Sequence, residues 1–182
     1  DENINEQEVC IMDIGGASTE LIKVDTQTKK ILASISMPVG AVRMNNWKVE
    51  DVVSSKLKAV IKDYSEQLET FKSNTLYCVA GTMTSVGNIQ LGNKTFIEDS
   101  VNGLRFSIGD FKALKLKHEP LKPEQFLDLY PFLGKRSETI ASGISLADTI
   151  LDHLNINDVY ISTYGLRYGT ISIDEIPNKF LA

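Results

Sequence analysis

The stretch MDIGGASTELI, Met12–Ile22, ends one apolar run in an acid and two glycines, then offers Ala17, Ser18, Thr19 and Glu20 before turning apolar again at Leu21. Upstream, VCIMDI is apolar at nearly every position, the pattern of a strand buried on both faces. Downstream, TELIKVD alternates, and KKILASISMPV reads as a third strand. The connections DIGGAS and DTQTKK are short and rich in turn formers, so the three strands form an antiparallel meander.

Working outward, apolar residues Val52, Val53, Leu57, Val60, Ile61, Tyr64 and Leu68 recur at helical spacing, which predicts one long amphipathic helix from Val49 to about Phe71. Trp47 staples the start of that helix to the core. TLYCVA is a short buried strand closed by Gly81, with a helix beyond it through Val86 and Ile89. Between Gly92 and Lys135 the pattern is less regular. NGLRFSI there reads as a strand or hairpin arm with Leu104 and Phe106 in the core, and DFKALKLKH and PEQFLDLY as short helices, the second with Pro123 in its first turn. A second long helix is predicted over Arg136–Leu154, then a last strand, DVYIST, and a terminal helix starting in GLRYGTISIDEI. This order predicts a single α/β domain over residues 1–182. Its five-stranded mixed sheet has three antiparallel and then two parallel strands, with helices on both faces and the first, fourth and fifth strands side by side.

Composition sets further bounds. With 42% hydrophobic residues the chain can fill one sizeable core, and a formal net charge of -5 gives no whole-molecule field for nucleic acid or an acidic membrane. Any anion site is therefore local. No apolar run is long enough to span a membrane, and the opening DENINEQE is unlike a secretory signal, so the expected location is cytoplasmic. Cys10 and Cys78 sit in apolar runs on strands predicted to be adjacent, and are read as reduced core thiols.

In open α/β sheets, ligands gather at the carboxyl ends of parallel strands, where DIGGAST (Asp13–Thr19), AGTMTS (Ala80–Ser85) and STYGLRYG (Ser162–Gly169) all fall. Gly15 and Gly16 allow left-handed backbone angles, so that successive amides converge into a nest for phosphate, with the hydroxyls of Ser18 and Thr19 as further donors. Asp13 repels phosphate directly but holds it through a hydrated magnesium ion, which favours one or two carboxylates plus waters and phosphate oxygens. Glu20 either joins that shell or activates water. Gly81 and the free amides of a helix start make a second phosphate seat, with Thr82 as a ligand or a helix cap. Each motif alone reads equally well as an ordinary turn; their convergence at one sheet edge favours a site.

MDIGGASTELI, MPVGAVR, VAGTMTS, KRSETIASGISLADTIL and ISTYGLRYGTI, in that order and spacing, resemble the second half of the exopolyphosphatase and guanosine pentaphosphate phosphatase family, of the actin and sugar kinase superfamily. The likeness runs from about Val9 to Ile173. It implies a ribonuclease H-like lobe, the C-terminal one of two, and a magnesium-dependent hydrolase. Such an enzyme removes terminal phosphate from inorganic polyphosphate or the 5′ phosphate from guanosine pentaphosphate. The implied phosphate loop is Asp13, Gly15, Gly16, Ala17, Ser18 and Thr19, with Asp13 toward the metal, Glu20 near the hydrolytic centre, and Gly81 and Thr82 as the facing wall. The implied partner is a first lobe carrying its own phosphate loop, without which this lobe binds weakly and hydrolyses poorly. A homodimer is left open.

The sequence departs from the family pattern at three places. Ala17 stands for a third glycine, Thr163 for an Asp and Tyr168 for a Glu, while Ser162, Gly165, Leu166, Arg167 and Gly169 keep the pattern. Arg136 and Arg167 are candidate polyanion contacts that match family motifs, and read equally well as structural ion pairs. Arg43 and Lys135 read as solvated surface, and His118 and His153 as surface or helix-end residues. Two rival readings stand beside the hydrolase: a module that binds such anions without cleaving them, and a kinase-type lobe with an adenine pocket beyond Gly81.

Overall fold

The apolar character of β1 (Glu8–Ile14) follows from its place inside a sheet ordered β3-β2-β1-β4-β6-β5. The computed structural model describes residues 6–165. Strand β2 (Thr19–Asp25) pairs antiparallel with β1, and β3 (Lys30–Met37) antiparallel with β2, as the short turns require. Helices α1 (Ala41–Val49), α2 (Val53–Asp63) and α3 (Ser65–Leu68), then a 3-10 turn over Glu69–Phe71, lead into β4 (Thr75–Val79), which lies parallel to β1. Helix α4 (Ala80–Gln90) leaves directly from the end of β4. After it come α5 (Glu98–Val101), β5 (Arg105–Ser107), α6 (Ile108–His118), α7 (Pro123–Leu129) and α8 (Ile140–His153), with β6 (Asp158–Ile161) closing the described chain parallel to β4.

The result is a mixed α/β fold with one open mixed sheet, and the sheet has six strands, not five. The extra one, β5, is the NGLRFSI arm, which adds antiparallel to the outer edge of β6. Three residues are too few to show a period in sequence. What fixes β5 is tertiary: Arg105 forms a two-pronged ion pair with Asp158 across the strands, at 3.2 and 2.9 Å, and its guanidinium lies over the Tyr160 ring. Phe106 fills the core from the same strand, as expected.

The predicted helix from Val49 to Phe71 is broken. Asp51 takes a left-handed φ of 56°, which ends α1 and restarts the chain at α2, and a further irregularity at Tyr64 separates α2 from α3. Trp47 therefore belongs to the preceding helix α1, and its carbonyl receives the Val52 amide. The second long helix starts at Ile140 instead of Arg136, because Gly134, at φ 50°, kinks a 3-10 segment over Pro131–Glu138. His118 ends α6 as expected, but it is buried, not on the surface. The predicted terminal helix beyond Gly165 lies outside the described residues.

The core gathers Met12, Ile14, Leu21, Leu76 and Cys78 from the sheet with Met83 and Val86 of α4 and Ile140, Ile144 and Ile150 of α8. Each such side chain contributes about 1.5–3 kcal/mol by leaving water. Cys10 and Cys78 are free and buried on adjacent strands, two residues out of register, since Cys10 faces Leu76 and Met12 faces Cys78. Burial pushes the Cys78 thiol well up, so it is an inert core group. No described helix is long and apolar enough to cross a membrane.

Candidate active site

The Gly-Gly turn is held from both sides. The Gly15 amide donates to the Ser18 carbonyl at 3.0 Å, and the Gly15 and Gly16 carbonyls receive the amides of Ala41, Val42 and Arg43 at 2.9–3.0 Å, so the turn and the first turn of α1 satisfy each other. Thr19, fully buried, donates its hydroxyl to the Val39 carbonyl at 2.7 Å, and Thr82 donates its hydroxyl to the Ile14 carbonyl at 2.8 Å. Both threonines anchor the turn with hydroxyl protons that are therefore not free for phosphate. Thr82 is the third residue of α4 and caps nothing.

The turn has ordinary backbone angles. Among described glycines, only Gly92, Gly103 and Gly134 have positive φ, and Ala17 does not either. Gly15 and Gly16 thus need no left-handed freedom, and the alanine in place of a third glycine carries no strain. The close approach that demands a glycine occurs instead at Gly40, before α1, where a Cβ would lie 2.5 Å from the Gly15 oxygen and 2.7 Å from the Ala17 nitrogen. Gly40 has no role in the expectations drawn from sequence; its signal in MPVGAVR is a glycine set immediately before a helix and after a β-branched residue.

What the turn leaves free is its amides. Among the described residues, the N–H groups of Gly16, Ala17 and Ser18 have no protein acceptor. Unpaired amides at the outer edge of a turn suit an oxyanion. Gly15 and Gly16, together with Ala41, Val42, Thr82, Thr139, Ile140 and Arg136, line a cavity of about 140 Å³.

A larger cleft, about 490 Å³, opens beside it between Asp13, Ala80, Gly81, Thr84, Phe96, Glu98, Phe132, Arg136, Thr163 and Gly165. Arg136 lines both. It is exposed, makes no ion pair with a carboxylate among the described residues, and rests on Gly81 so closely that a Cβ there would come within 2.5 Å of its Nη2. The first-turn amides of α4 have no intrahelical acceptors and start in this cleft at Ala80 and Gly81. Thr163 also lines it, with a buried hydroxyl lacking a partner among the described residues. Arg167 and Tyr168 lie outside the described residues. Ala17, Ser18 and Glu20 line neither cavity; Arg43 is turned to the Pro38 carbonyl at 2.8 Å.

Ala80 sits at the junction of β4 and α4 with a φ of 64°. That conformation costs a non-glycine residue about 1–2 kcal/mol, and it is the bend that aims the start of α4 at the cleft. Ala80→Gly is expected to stabilise the protein by roughly 0.5 kcal/mol, because glycine's own entropic cost offsets part of the relief, and Ala80→Val to destabilise it. Chemical denaturation midpoints check both.

Asp13 and Glu20 are direct cross-strand partners on β1 and β2. Burial, and then the Glu20 charge, push the Asp13 carboxyl above its ordinary value of 3.8. Glu20 is held by the Ser36 hydroxyl, which donates to its Oε1 at 2.8 Å, a contact from β3 that sequence reasoning missed. Because the folded state binds the Asp13 proton more tightly than the unfolded state, stability falls as pH rises from 3.8 through the raised value. Asp13→Asn should therefore raise the thermal midpoint near neutral pH and flatten its dependence on pH in that window; an unchanged profile would show that burial and the Glu20 charge do not raise the Asp13 carboxyl.

An acid at the end of a central strand, free turn amides, a helix start and an arginine meet at one sheet edge of this α/β domain, a set of donors that suits an anion. Residues 2–177 match the Ppx/GppA phosphatase family, and the chain belongs to that family. The fold is similar to that of the family member from Aquifex aeolicus, with a TM-score of 0.75 and 23% identity over 91% of this chain and 55% of that one. It is also similar to an exopolyphosphatase-like protein (TM-score 0.78, 19% identity, 98% and 62% of the two chains). An exopolyphosphatase from Cytophaga hutchinsonii gives a TM-score of 0.76 at 20% identity, over 92% and 56%. The chain thus spans between half and two thirds of these relatives' length. No curated protein matches it.

Proposed function

We propose that this chain is the C-terminal, ribonuclease H-like lobe of a two-lobe cytoplasmic phosphohydrolase. The enzyme would remove terminal phosphate from inorganic polyphosphate or the 5′ phosphate from guanosine pentaphosphate. The observation that carries this reading is Arg136, exposed and without a carboxylate partner among the described residues, lining both the cavity of the Gly15-Gly16 turn and the cleft at the start of α4. The family match and the relatives' length support a companion lobe that closes the cleft from the other side.

In this reading the terminal phosphoryl group lies between the Gly16 amide and the guanidinium of Arg136, with the free amides of Ala17 and Ser18 at the rim and Gly15, Gly81 and the start of α4 shaping the seat. Thr19 and Thr82 fix the turn by their hydrogen bonds to Val39 and Ile14. Hydrolysis forms one bond from a water oxygen to phosphorus and breaks the bridging P–O bond; the water proton passes to a carboxylate and the leaving phosphate carries the displaced charge. Fixed donors lower the barrier by meeting charge on the phosphoryl oxygens as it shifts.

The donor set fits magnesium. Asp13 and Glu20 are cross-strand partners, the Asp13 carboxyl raised first by burial and then by the Glu20 charge, and such a pair would gain from a hard divalent ion that keeps waters and phosphate oxygens as its other ligands. Asp13 would hold the ion, with Glu20 in its shell or orienting water. Bound there, Mg²⁺ would neutralise phosphate charge.

The test is phosphate release by the full-length protein, with magnesium, from guanosine pentaphosphate and from polyphosphate. Release that disappears in Glu20→Gln and Asp13→Asn supports the reading. Tight binding without release would favour the non-hydrolysing module, and phosphate transfer from saturating ATP the kinase-type lobe.

A further inference from the structure

The region between Gly92 and Lys135 places two phenyl rings in the large cleft. Phe96 is 44% exposed, and Phe132 is half-buried beside it, the ring centroids 6.3 Å apart and tilted by 45°. The second ring stands on a fixed support. Phe132 packs edge-on against Tyr130, whose hydroxyl is 2.8 Å from His118 Nε2. His118 Nδ1 is 2.7 Å from the Leu114 carbonyl, which can only accept, so Nδ1 carries the proton and Nε2 accepts from Tyr130. His118 in turn stacks on Phe126 of α7. The chain thus spends a buried hydrogen-bonded relay on holding an aromatic wall at the mouth of a phosphate cleft.

A bare phosphate chain offers only charge and oxygen, and a phenyl face gives it neither a donor nor a cation. A nucleobase is different: its face stacks on aromatic rings with little regard to sequence or substituents, and burying the exposed part of Phe96 adds apolar area. The cleft volume, about 490 Å³, suits a nucleotide-sized ligand. The two rings already touch one another, so a base lies against their shared outer face and not between them.

We infer that the Phe96–Phe132 wall holds the base of a nucleoside polyphosphate whose phosphates reach Gly81 and Arg136, so that the preferred ligand carries a nucleoside and is not a bare phosphate chain. This rests on the phosphate seat proposed above and narrows its substrate class.

The experiment compares two ligands with the same phosphate count, GTP and inorganic tripolyphosphate. Both are titrated calorimetrically into the full-length protein with magnesium, as wild type, Phe96→Ala and Phe132→Leu. The wild type should bind GTP at least about tenfold more tightly than tripolyphosphate. Phe96→Ala should remove most of that preference by weakening GTP alone, and Phe132→Leu, which keeps an apolar group on Tyr130, should act in the same direction. Equal wild-type affinity for the two ligands, equal weakening of both, or a preference that survives in each variant overturns the inference. Because the readout is binding, failure of phosphate release would count against the hydrolase reading alone.

Discussion

Gly40→Ala is expected to cost about 3 kcal/mol of stability, a fall of roughly 6–12 °C in the unfolding midpoint, and with it nearly all activity. The alanine methyl would sit 2.5 Å from the Gly15 oxygen, 2.6 Å from the Gly16 carbonyl carbon and 2.7 Å from the Ala17 nitrogen, all backbone atoms with no rotamer to yield. Separation of the turn from α1 would break the bonds from Ala41, Val42 and Arg43 that set its position. A displacement of about 1 Å at such a site costs on the order of a hundredfold in rate. The control is Gly16→Ala, whose methyl would meet only the Val42 side chain, at 3.3 Å, and whose backbone angles suit any residue. That variant should lose well under half as much stability. If the two variants behave alike in thermal unfolding, the packing of Gly40 against the turn is not what holds the loop.

Arg136→Ala is expected to lower kcat/KM for phosphate release by about 10²–10³-fold and to leave the unfolding midpoint almost unchanged. Its guanidinium is exposed, bonds to no carboxylate among the described residues, and borders both cavities. Removing it deletes a cation from the phosphate seat without opening the core. Arg136→Lys should restore only part of the loss, because an ammonium lacks the planar fork that meets two phosphate oxygens at once. Loss of stability matching the loss of activity would make Arg136 a structural residue.

How much of this was legible in the sequence depends on the range of the interaction that decides each feature. The meander and the parallel strands were legible because β1, β2 and β4 declare their burial in their own residues. The sixth strand was not, since three residues joined to β6 through Arg105 and Asp158 are fixed by partners fifty positions away. The break at Asp51 and the kink at Gly134 escaped because a helical period continues through a single residue of unusual φ. At the site, the convergence of Asp13, Gly81 and Thr82 followed from strand order and strand-end motifs, whereas Arg136, on the 3-10 segment before α8, was a candidate through the family resemblance alone. The roles of the hydroxyls did not: nothing in the string DIGGAST says that Thr19 turns inward to Val39, or that Thr82 spends its proton on Ile14. Phe96 and Phe132 lie 36 positions apart in the irregular region, where no period links them.

The central claim is that unpaired main-chain amides at this sheet edge, with Gly16 sharing a cavity with Arg136, bind a phosphoryl group. Diffraction from crystals soaked in sulfate tests it most directly. The expected density lies within hydrogen-bonding distance of the Gly16, Ala17 and Ser18 nitrogens or the Arg136 guanidinium, and is lost in Arg136→Ala. A map with those nitrogens bonded to protein carbonyls and the sulfate held elsewhere would contradict it.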